Sequence, residues 1–218
     1  MNFLKLIPIV SLIIFSTCKA VAAEKAGQAR LFFGSTQVKP SNLNTELTAQ
    51  GIKNVDLNNQ AGVEITFPTN DYLNLGLRYT KRLISQDDSV TTTDYKAEIN
   101  QDVAALVARY AFLKTDMVRL DAVIGVGGSN TTYTLKTATQ DGGLSKTGSP
   151  FATLYSTAGV SLALGKGKFY FVLEGGLDSQ KADKLDRSGT INNNVNEIDL
   201  SGAYFNIGLM FDGIPIKM

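Results

Sequence analysis

The 218 residues carry 21 basic and 20 acidic side chains, and this near balance gives no indication of a nucleic-acid partner. Histidine is absent, which removes the side chain that most often acts as an acid or base near neutral pH. The only cysteine is Cys18, so no disulfide can form within the chain.

The chain begins with the pattern of a secretory signal peptide. Lys5 precedes an apolar run over residues 6–15, and small residues follow up to Ala20-Val21-Ala22, which matches an A-x-A cleavage site. The apolar run is too short for a membrane-spanning helix, which needs about 20 residues. We predict that residues 1–22 are removed and that residues 23–218 form one domain. Lipid attachment at Cys18 is the alternative, although the residues before it fit a lipidation motif poorly.

Eight segments of alternating hydrophobicity follow, each about ten residues long, which is the pattern of half-buried β-strands. Outside them, residues 43–52 could hold a short helical turn. The predicted strands cover residues 28–38, 60–67, 72–81, 103–112, 117–127, 152–164, 169–178 and 201–211.

The connections between these segments alternate between long and short. Tight turns rich in Gly, Pro, Asn and Asp are predicted at residues 68–71, 113–116 and 165–168. Long polar connections are predicted at residues 39–59, 82–102, 128–151 and 179–200. In an antiparallel meander, alternate connections lie at opposite ends of the sheet, so every long loop is expected at one end. Outer-membrane β-barrels have this asymmetry, with short periplasmic turns, longer extracellular loops and an even number of strands.

The alternation gives each strand an apolar face and a polar face. The apolar face carries no charge over seven strands, as with Leu73, Leu75 and Leu77 in the third. A lysine or arginine at mid-bilayer would cost about 2–4 kcal/mol there, so this face suits lipid. In the first strand, residues 31–33 are all apolar and fit either phase.

The polar faces contain charges that must then point into the lumen, which side chains fill in a barrel of eight strands. Buried charges are tolerated when they are paired and hydrogen-bonded, so we predict an interior ion-pair network and no continuous wide pore. Lys81 and Arg82, by contrast, are expected at the outer rim. The predicted members of the network are Glu64, Arg78, Arg109, Arg119, Asp121, Tyr170, Glu174 and Asp178.

Aromatic residues beside the short turns and near the end of the last strand predict a periplasmic aromatic girdle. Its predicted members are Phe67, Tyr72, Phe112, Phe169 and Phe211. Tyr79 and Tyr133 are candidates for the opposite rim. Ordinary aromatic core residues of a soluble sandwich are the alternative interpretation.

With these features the sequence resembles the small eight-stranded outer-membrane β-barrels of Gram-negative bacteria, the group of the OmpA transmembrane domain, OmpX and OmpW. The resemblance covers the whole mature chain and rests on architecture. Those barrels commonly end in an aromatic residue within a terminal strand pattern read by the assembly machinery. Asn206–Phe211 resembles part of that pattern, although residues 212–218 follow it.

The resemblance implies an all-β fold, an antiparallel up-and-down transmembrane barrel of eight strands, in the outer membrane of a Gram-negative bacterium. The expected partners are the lipid bilayer, lipopolysaccharide and the outer-membrane assembly machinery, with no nucleic acid. We expect a monomer.

No catalytic, cofactor-binding or metal site is predicted. Barrel enzymes of this size use a histidine with a serine or an acid, and this chain has no histidine. Asp87-Asp88 and the pair Glu174 and Asp178 are better explained as solvated loop charges and interior ion pairs. Residues 125–128 form a glycine-rich run that precedes no helix, so the context of a phosphate-binding loop is missing. The loop carboxylates of Asp94, Asp183 and Asp186 show no metal-ligand spacing.

We therefore expect a non-enzymatic outer-membrane barrel that anchors four polar surface loops. It would serve envelope integrity, adhesion or another surface interaction, with any ligand bound through the loops. One alternative is a narrow channel or carrier for small solutes. The other is a periplasmic lipocalin-like ligand binder.

Overall fold

The structure is a computed structural model that describes residues 26–49, 53–90, 93–136, 141–148, 151–189 and 195–214. Of residues 85–90, 93–95 and 141 it describes only the backbone. The predicted signal peptide, residues 1–22, lies outside the described residues.

The described residues form one helix and eleven strands. Their bounds, in chain order, are β1 (Gly27–Val38), α1 (Ser41–Ala49), β2 (Leu57–Pro68), β3 (Leu73–Val90), β4 (Thr93–Lys114), β5 (Val118–Lys136), β6 (Asp141–Lys146), β7 (Thr153–Lys166), β8 (Phe169–Asp183), β9 (Asp186–Gly189), β10 (Glu197–Asp199) and β11 (Gly202–Ile214). Among the described residues, no helix combines the length and the hydropathy that crossing a membrane requires.

Eight of these strands close into one antiparallel barrel. The order around it is β1, β2, β3, β4, β5, β7, β8 and β11, and β1 pairs with β11 to complete the circle. Closure pairs the sheet edges that an open sheet would leave exposed. The eight-stranded up-and-down antiparallel fold predicted from the alternation is confirmed.

Three short turns lie at one end of the barrel, which we call the turn end. In the first, Asn70 Oδ1 accepts hydrogen bonds from the backbone N–H groups of Tyr72 and Leu73, at 2.9 and 2.7 Å. In the second, Thr115 Oγ1 accepts one from Val118 N at 3.0 Å. In the third, Gly167 adopts a positive φ of 71°, which suits glycine. These side chains explain why the chain reverses at the predicted positions.

The opposite end, which we call the loop end, is more ordered than the sequence predicted. Residues 82–102, expected to be a long loop, instead largely continue β3 and β4, which pair as far as Val90 and Thr93. β5 and β8 also continue beyond their predicted ends, and β6, β9 and β10 pair with these extensions or with each other. The expectation of long irregular connections was therefore wrong for these segments.

The loop end is ordered because it has a hydrophobic core of its own. Its side chains come from β1, α1, β6 and β10, from the extensions of β3, β4 and β5, and from the segments beside β2 and β10. They pack together above the lumen, each at most 7% exposed. We call this cluster the cap; it consists of Val38, Leu43, Leu47, Val55, Ile84, Ala97, Ile99, Tyr133, Leu135, Leu144, Val195, Ile198 and Leu200.

Below the cap, a layer of buried polar residues marks the top of what we call the barrel section. Gln60, Arg82, Gln101 and Gln180 form this layer, each at most 6% exposed. The barrel section runs from there to the turn end. The helix α1, predicted only as a turn within residues 43–52, begins at Ser41 and packs Leu43 and Leu47 into the cap.

Candidate functional site

The outer surface of the barrel section is an apolar belt. Leu77 is 63% exposed, Leu106 60% and Leu209 62%. A contiguous apolar surface of this kind is rare on a soluble monomer, and it matches the band that faces hydrocarbon in membrane barrels. Strand β1 follows the same phase, since Leu31 and Phe33 face outward while Phe32 is buried.

Aromatic side chains line the belt at the turn end. All five predicted girdle residues lie there, and Phe67, Tyr72, Phe112 and Phe169 are each more than 40% exposed. Two pairs of rings are in contact: Tyr72 with Tyr110, at 6.3 Å between centroids, and Phe169 with Phe211, at 5.1 Å. Such rings suit the level of the lipid headgroups because they have an apolar body and, in tyrosine, a polar tip.

The opposite edge of the belt contains one of the two expected tyrosines. Tyr79 donates a hydrogen bond to Asp102 Oδ1 at 2.5 Å, and Lys81 Nζ lies 3.0 Å from the same oxygen. Tyr133 instead faces inward and is 1% exposed, so its predicted place at the rim was wrong. Burial in the cap raises the pKa of the Tyr133 phenol.

The centre of the lumen is a ring of four charges. Arg78 donates to Glu64 Oε2 at 2.8 Å and to Glu174 Oε1 at 2.7 Å. Arg109 donates to Glu64 Oε1 and to Glu174 Oε2, both at 2.5 Å. Each arginine thus bridges the same two carboxylates, and β8 contributes Glu174 from across the barrel. Because all four side chains are buried, each charge depends on its partners to offset its lost hydration.

A second group of charges lies toward the turn end. Asp121 accepts hydrogen bonds from Arg30 at 2.9 Å and from Arg119 at 2.6 Å. Arg30 also donates to Ser161 Oγ at 3.0 Å and lies 3.8 Å from Glu64, which links this group to the central ring. Arg30 is not among the predicted network members, and the apolar run at residues 31–33 fits either phase of β1 in the sequence.

A third group lies at the top of the barrel section. Arg82 is 1% exposed and donates to Asp178, which also accepts from the Tyr155 hydroxyl at 2.7 Å. Arg82 further donates to Gln60 and Gln101. Its expected place at the outer rim was therefore wrong. Arg82 follows Arg78 by four positions, which is two periods of the strand, so both side chains point inward. This period of two was the signal that could have located it.

Tyr170, also expected in the network, packs against an apolar cluster of Ala163, Val172 and Met210 near the turn end.

Two of the arginines in the lumen lie over the faces of other aromatic rings. The Arg78 guanidinium lies 5.0 Å from the centroid of the Phe32 ring, and that of Arg82 lies 5.4 Å from the Tyr155 ring. Such stacking is favourable for a cation.

The structure also places the glycine-rich run, Asn130 and the loop carboxylates. Gly125-Val126-Gly127-Gly128 lies within β5, where a side chain at Gly127 would collide with the backbone of Ala104 on β4. Asn130 Oδ1 accepts hydrogen bonds from the backbone of Gly148 and Ala152. Asp183 and Asp186 are exposed, while the side chains of Asp87, Asp88 and Asp94 lie outside the description. Within the described ranges, no three His, Cys, Asp or Glu side chains are placed to hold a metal ion.

Chemically, the described part of the interior holds its charges in hydrogen-bonded pairs. The carboxylates of Glu64, Glu174, Asp121 and Asp178 all accept hydrogen bonds from arginines. Each carboxylate is thus paired with a positive partner, as buried charges require.

No protein-family model matches the chain, and neither does any curated protein. Among solved structures, Ail, the attachment invasion locus protein of Yersinia pestis, in complex with the heparin analogue sucrose octasulfate, is 14% identical. The match covers 87% of this chain and 99% of Ail, with a TM-score of 0.50. The outer membrane protease OmpT of Escherichia coli matches over 90% of this chain and 99% of its own, with 10% identity and a TM-score of 0.47. Neisserial surface protein A matches over 88% and 99%, with 12% identity and a TM-score of 0.46.

At these identities a match informs on fold alone, and the Ail match agrees with the closed barrel. The chain has the fold of an eight-stranded outer-membrane β-barrel.

Proposed function

We propose that this chain is a non-enzymatic protein of the outer membrane of a Gram-negative bacterium, which anchors a folded cap at the cell surface. The cap would serve envelope integrity, adhesion or another surface contact. The observation that carries this proposal is the inverted polarity of the barrel section, with buried charges inside and an uncharged apolar belt outside. Only a hydrocarbon environment favours that arrangement over its opposite.

The same polarity argues against a periplasmic lipocalin-like binder. A soluble barrel that binds apolar ligands keeps apolar side chains in its interior and polar ones toward water. Here Arg109 and Glu64 are each 1% exposed in the lumen, while Leu177 is 65% exposed on the outside. In water that exposed surface would favour aggregation.

The filled lumen supports an anchoring role over transport. Three groups of hydrogen-bonded side chains cross the barrel section, and the cap covers them at the loop end. Beside Arg30 and Arg109 lies a cavity of about 10 Å³, which is close to the room that one water molecule needs. A solute would have to break several buried ion pairs to pass.

The proposed orientation places the turn end in the periplasm. Gly27 at the start of β1 pairs with Ile214 near the end of β11, so the first and last described strands have their free ends at the turn end. Short turns face the periplasm in outer-membrane barrels, and the longer connections face outward. The cap would then lie outside the cell.

Cell fractionation combined with gel mobility tests this placement. We expect the protein in the outer-membrane fraction, with a folded form that migrates faster in gels than the boiled form. Protease added to intact cells should cut at the loop end and leave the turn end uncut. A detergent-free soluble protein recovered from the periplasm would refute the proposal.

Planar-bilayer recordings test the channel alternative. We expect no stable openings from the refolded wild-type protein, with a porin reconstituted in the same bilayers as the positive control. Reproducible unitary openings of the wild type would instead favour a narrow channel for small solutes.

A further inference from the structure

Two arginines in the lumen each have one buried N–H group without a hydrogen-bond partner in the described part of the chain. Arg109 donates through Nε and Nη2 to the carboxylates of Glu64 and Glu174, but its Nη1 has no partner. Arg30 donates through Nη1 and Nη2 to Ser161 and Asp121, but its Nε has none. Buried donors are nearly always satisfied in proteins, so each of these calls for a ligand.

The two arginines lie close together. Arg109 Nε is 2.5 Å from Glu64 Oε1, and Arg30 Nε is 3.8 Å from that same oxygen, which is too long for a hydrogen bond. The two guanidinium groups therefore flank one carboxylate oxygen.

A small cavity of about 10 Å³ lies beside both arginines. Asn206, Val172 and Gly208 also line it. The volume suits a single water molecule or a monoatomic ion and is too small for a polyatomic anion. Glu174 lines the cavity as well, but its oxygens already accept hydrogen bonds from Arg78, Arg109 and Tyr204.

The buried charges do not balance. Within the described ranges the buried charged side chains are five arginines and four carboxylates, a net charge of +1. They are Arg30, Arg78, Arg82, Arg109, Arg119, Glu64, Asp121, Glu174 and Asp178. Asp212, a half-buried carboxylate at the turn end that accepts a hydrogen bond from Gln28, is not counted among them.

We propose that the lumen binds one chloride-sized monovalent anion in this cavity, held by Arg30 Nε and Arg109 Nη1. A water molecule could accept hydrogen bonds from both donors but would leave the extra positive charge uncompensated in a low-dielectric interior. A halide satisfies both donors and also neutralises that charge. The guanidinium group suits this task because it is weakly hydrated and always charged. The proposal does not depend on the surface role of the cap.

Refolding in different salts is the first test. The wild-type protein is refolded from urea into detergent with sodium chloride, sodium bromide or sodium gluconate at equal ionic strength. We expect the unfolding midpoint to lie at higher urea in chloride and bromide than in gluconate, whose anion is too large for the cavity. Above the dissociation constant, the folding equilibrium constant should rise about tenfold for each tenfold rise in chloride. Equal midpoints in all three salts would show that the cavity holds water, and would overturn the proposal.

A pair of matched variants localises the effect. Val172→Ile adds one methylene group to a residue that lines the cavity, so it should remove the halide dependence. Val123→Ile adds the same group to a buried residue outside the lining, so it should keep that dependence. If Val172→Ile does not fold, Arg30→Gln removes both the extra charge and one donor. Halide dependence that persists in the folded variant used would place the anion elsewhere and refute this site.

Crystals grown in bromide provide a direct readout. We expect an anomalous-scattering peak between Arg30 Nε and Arg109 Nη1. Peaks confined to the outer surface would contradict the site even if halides stabilise the protein.

Discussion

The barrel section and the cap are built on the same strands but have opposite polarity. In the barrel section, β5 presents Ile124 outward at 62% exposure and buries Asp121. In the cap, the same strand buries Tyr133 and Leu135 and exposes Thr132. Strand β4 changes in the same way, because Ile99 points inward near the cap and Arg109 points inward near the turn end.

The change occurs without a break in the strands. Gln101 pairs with Thr131 in continuous register, and the only irregularity between β4 and β5 lies far away, at Ala111 and Leu113. Each strand therefore keeps the same inward and outward positions along its length. The side chains at those positions change between polar and apolar. In the proposed placement, the surrounding medium explains which face is apolar: lipid around the barrel section and water around the cap.

The largest effect is expected when a charge is removed from the lumen. Glu64→Gln would leave Arg78 and Arg109 with one carboxylate between them, and we expect a loss of about 3–5 kcal/mol, as for other broken buried pairs. Urea unfolding in detergent measures it. The control is Glu98→Gln, which breaks a 2.7 Å pair with Lys96 at the surface of β4 and should cost at most about 1 kcal/mol. Similar losses for both variants would contradict a dry, charge-dependent lumen.

Shortening one side chain within the cap tests the other region. Leu43→Ala should destabilise the cap by about 2–5 kcal/mol, because it leaves a cavity at a side chain that is 1% exposed. We expect faster proteolysis at the loop end, with the heat-dependent gel mobility of the barrel unchanged. Leu57→Ala, at a side chain that is 56% exposed, should change neither. If the gel band of the folded barrel disappears when proteolysis at the loop end becomes faster, the two regions unfold as one unit.

A pair of arginine substitutions tests where the outer surface passes from lipid to water. Ile124→Arg places a charge on the belt and should cost about 2–4 kcal/mol in a bilayer. Thr132→Arg places the same charge on the same face of β5 beside the cap, where it remains in water, so we expect almost no loss. Folding titrations in lipid vesicles measure both. Equal costs would argue that the belt is not in contact with hydrocarbon.

The smallest effect is expected at the edge between the two regions. Partial burial raises the pKa of Asp102, but hydrogen bonds from Tyr79 and Lys81 outweigh it, so the pKa lies below its ordinary value. A lowered pKa in the folded state means that this carboxylate stabilises the protein at neutral pH and loses that effect as pH falls through the lowered value. The pair is exposed, so we expect about 0.2–1 kcal/mol.

Unfolding midpoints of the wild type and Asp102→Asn, compared at neutral pH and in acid, measure this contribution. The difference between the two proteins should shrink in acid. A difference that stays constant with pH would show that the loss comes from packing.

The strands and short turns could be predicted because their causes are local. Period-two alternation and turn residues such as Asn70 and Gly167 act over a few positions in sequence. The inward face followed from the same alternation. The pairing of Arg78 with Glu174 could not be predicted, because it depends on the stagger of strands that are distant in sequence and meet only when the barrel closes.

The cap was missed for a different reason. Its connections are polar on average, and this composition concealed apolar residues that alternate in the opposite phase, such as Ile84, Ile99 and Leu135. Arg82 was misplaced because the predicted loop, residues 82–102, was taken to start at this residue. Following the phase of β3 one step further would have placed it inside.

The length of β4 determines how far the protein reaches above the membrane. At about 3.4 Å per residue, its 22 residues extend roughly 75 Å along the strand. With a tilt of about 40°, that is a height near 55 Å, about twice the roughly 25 Å of an apolar band. In the proposed orientation, a large particle approaching the cell therefore meets the ribbon of β3 and β4 before the rim of the barrel.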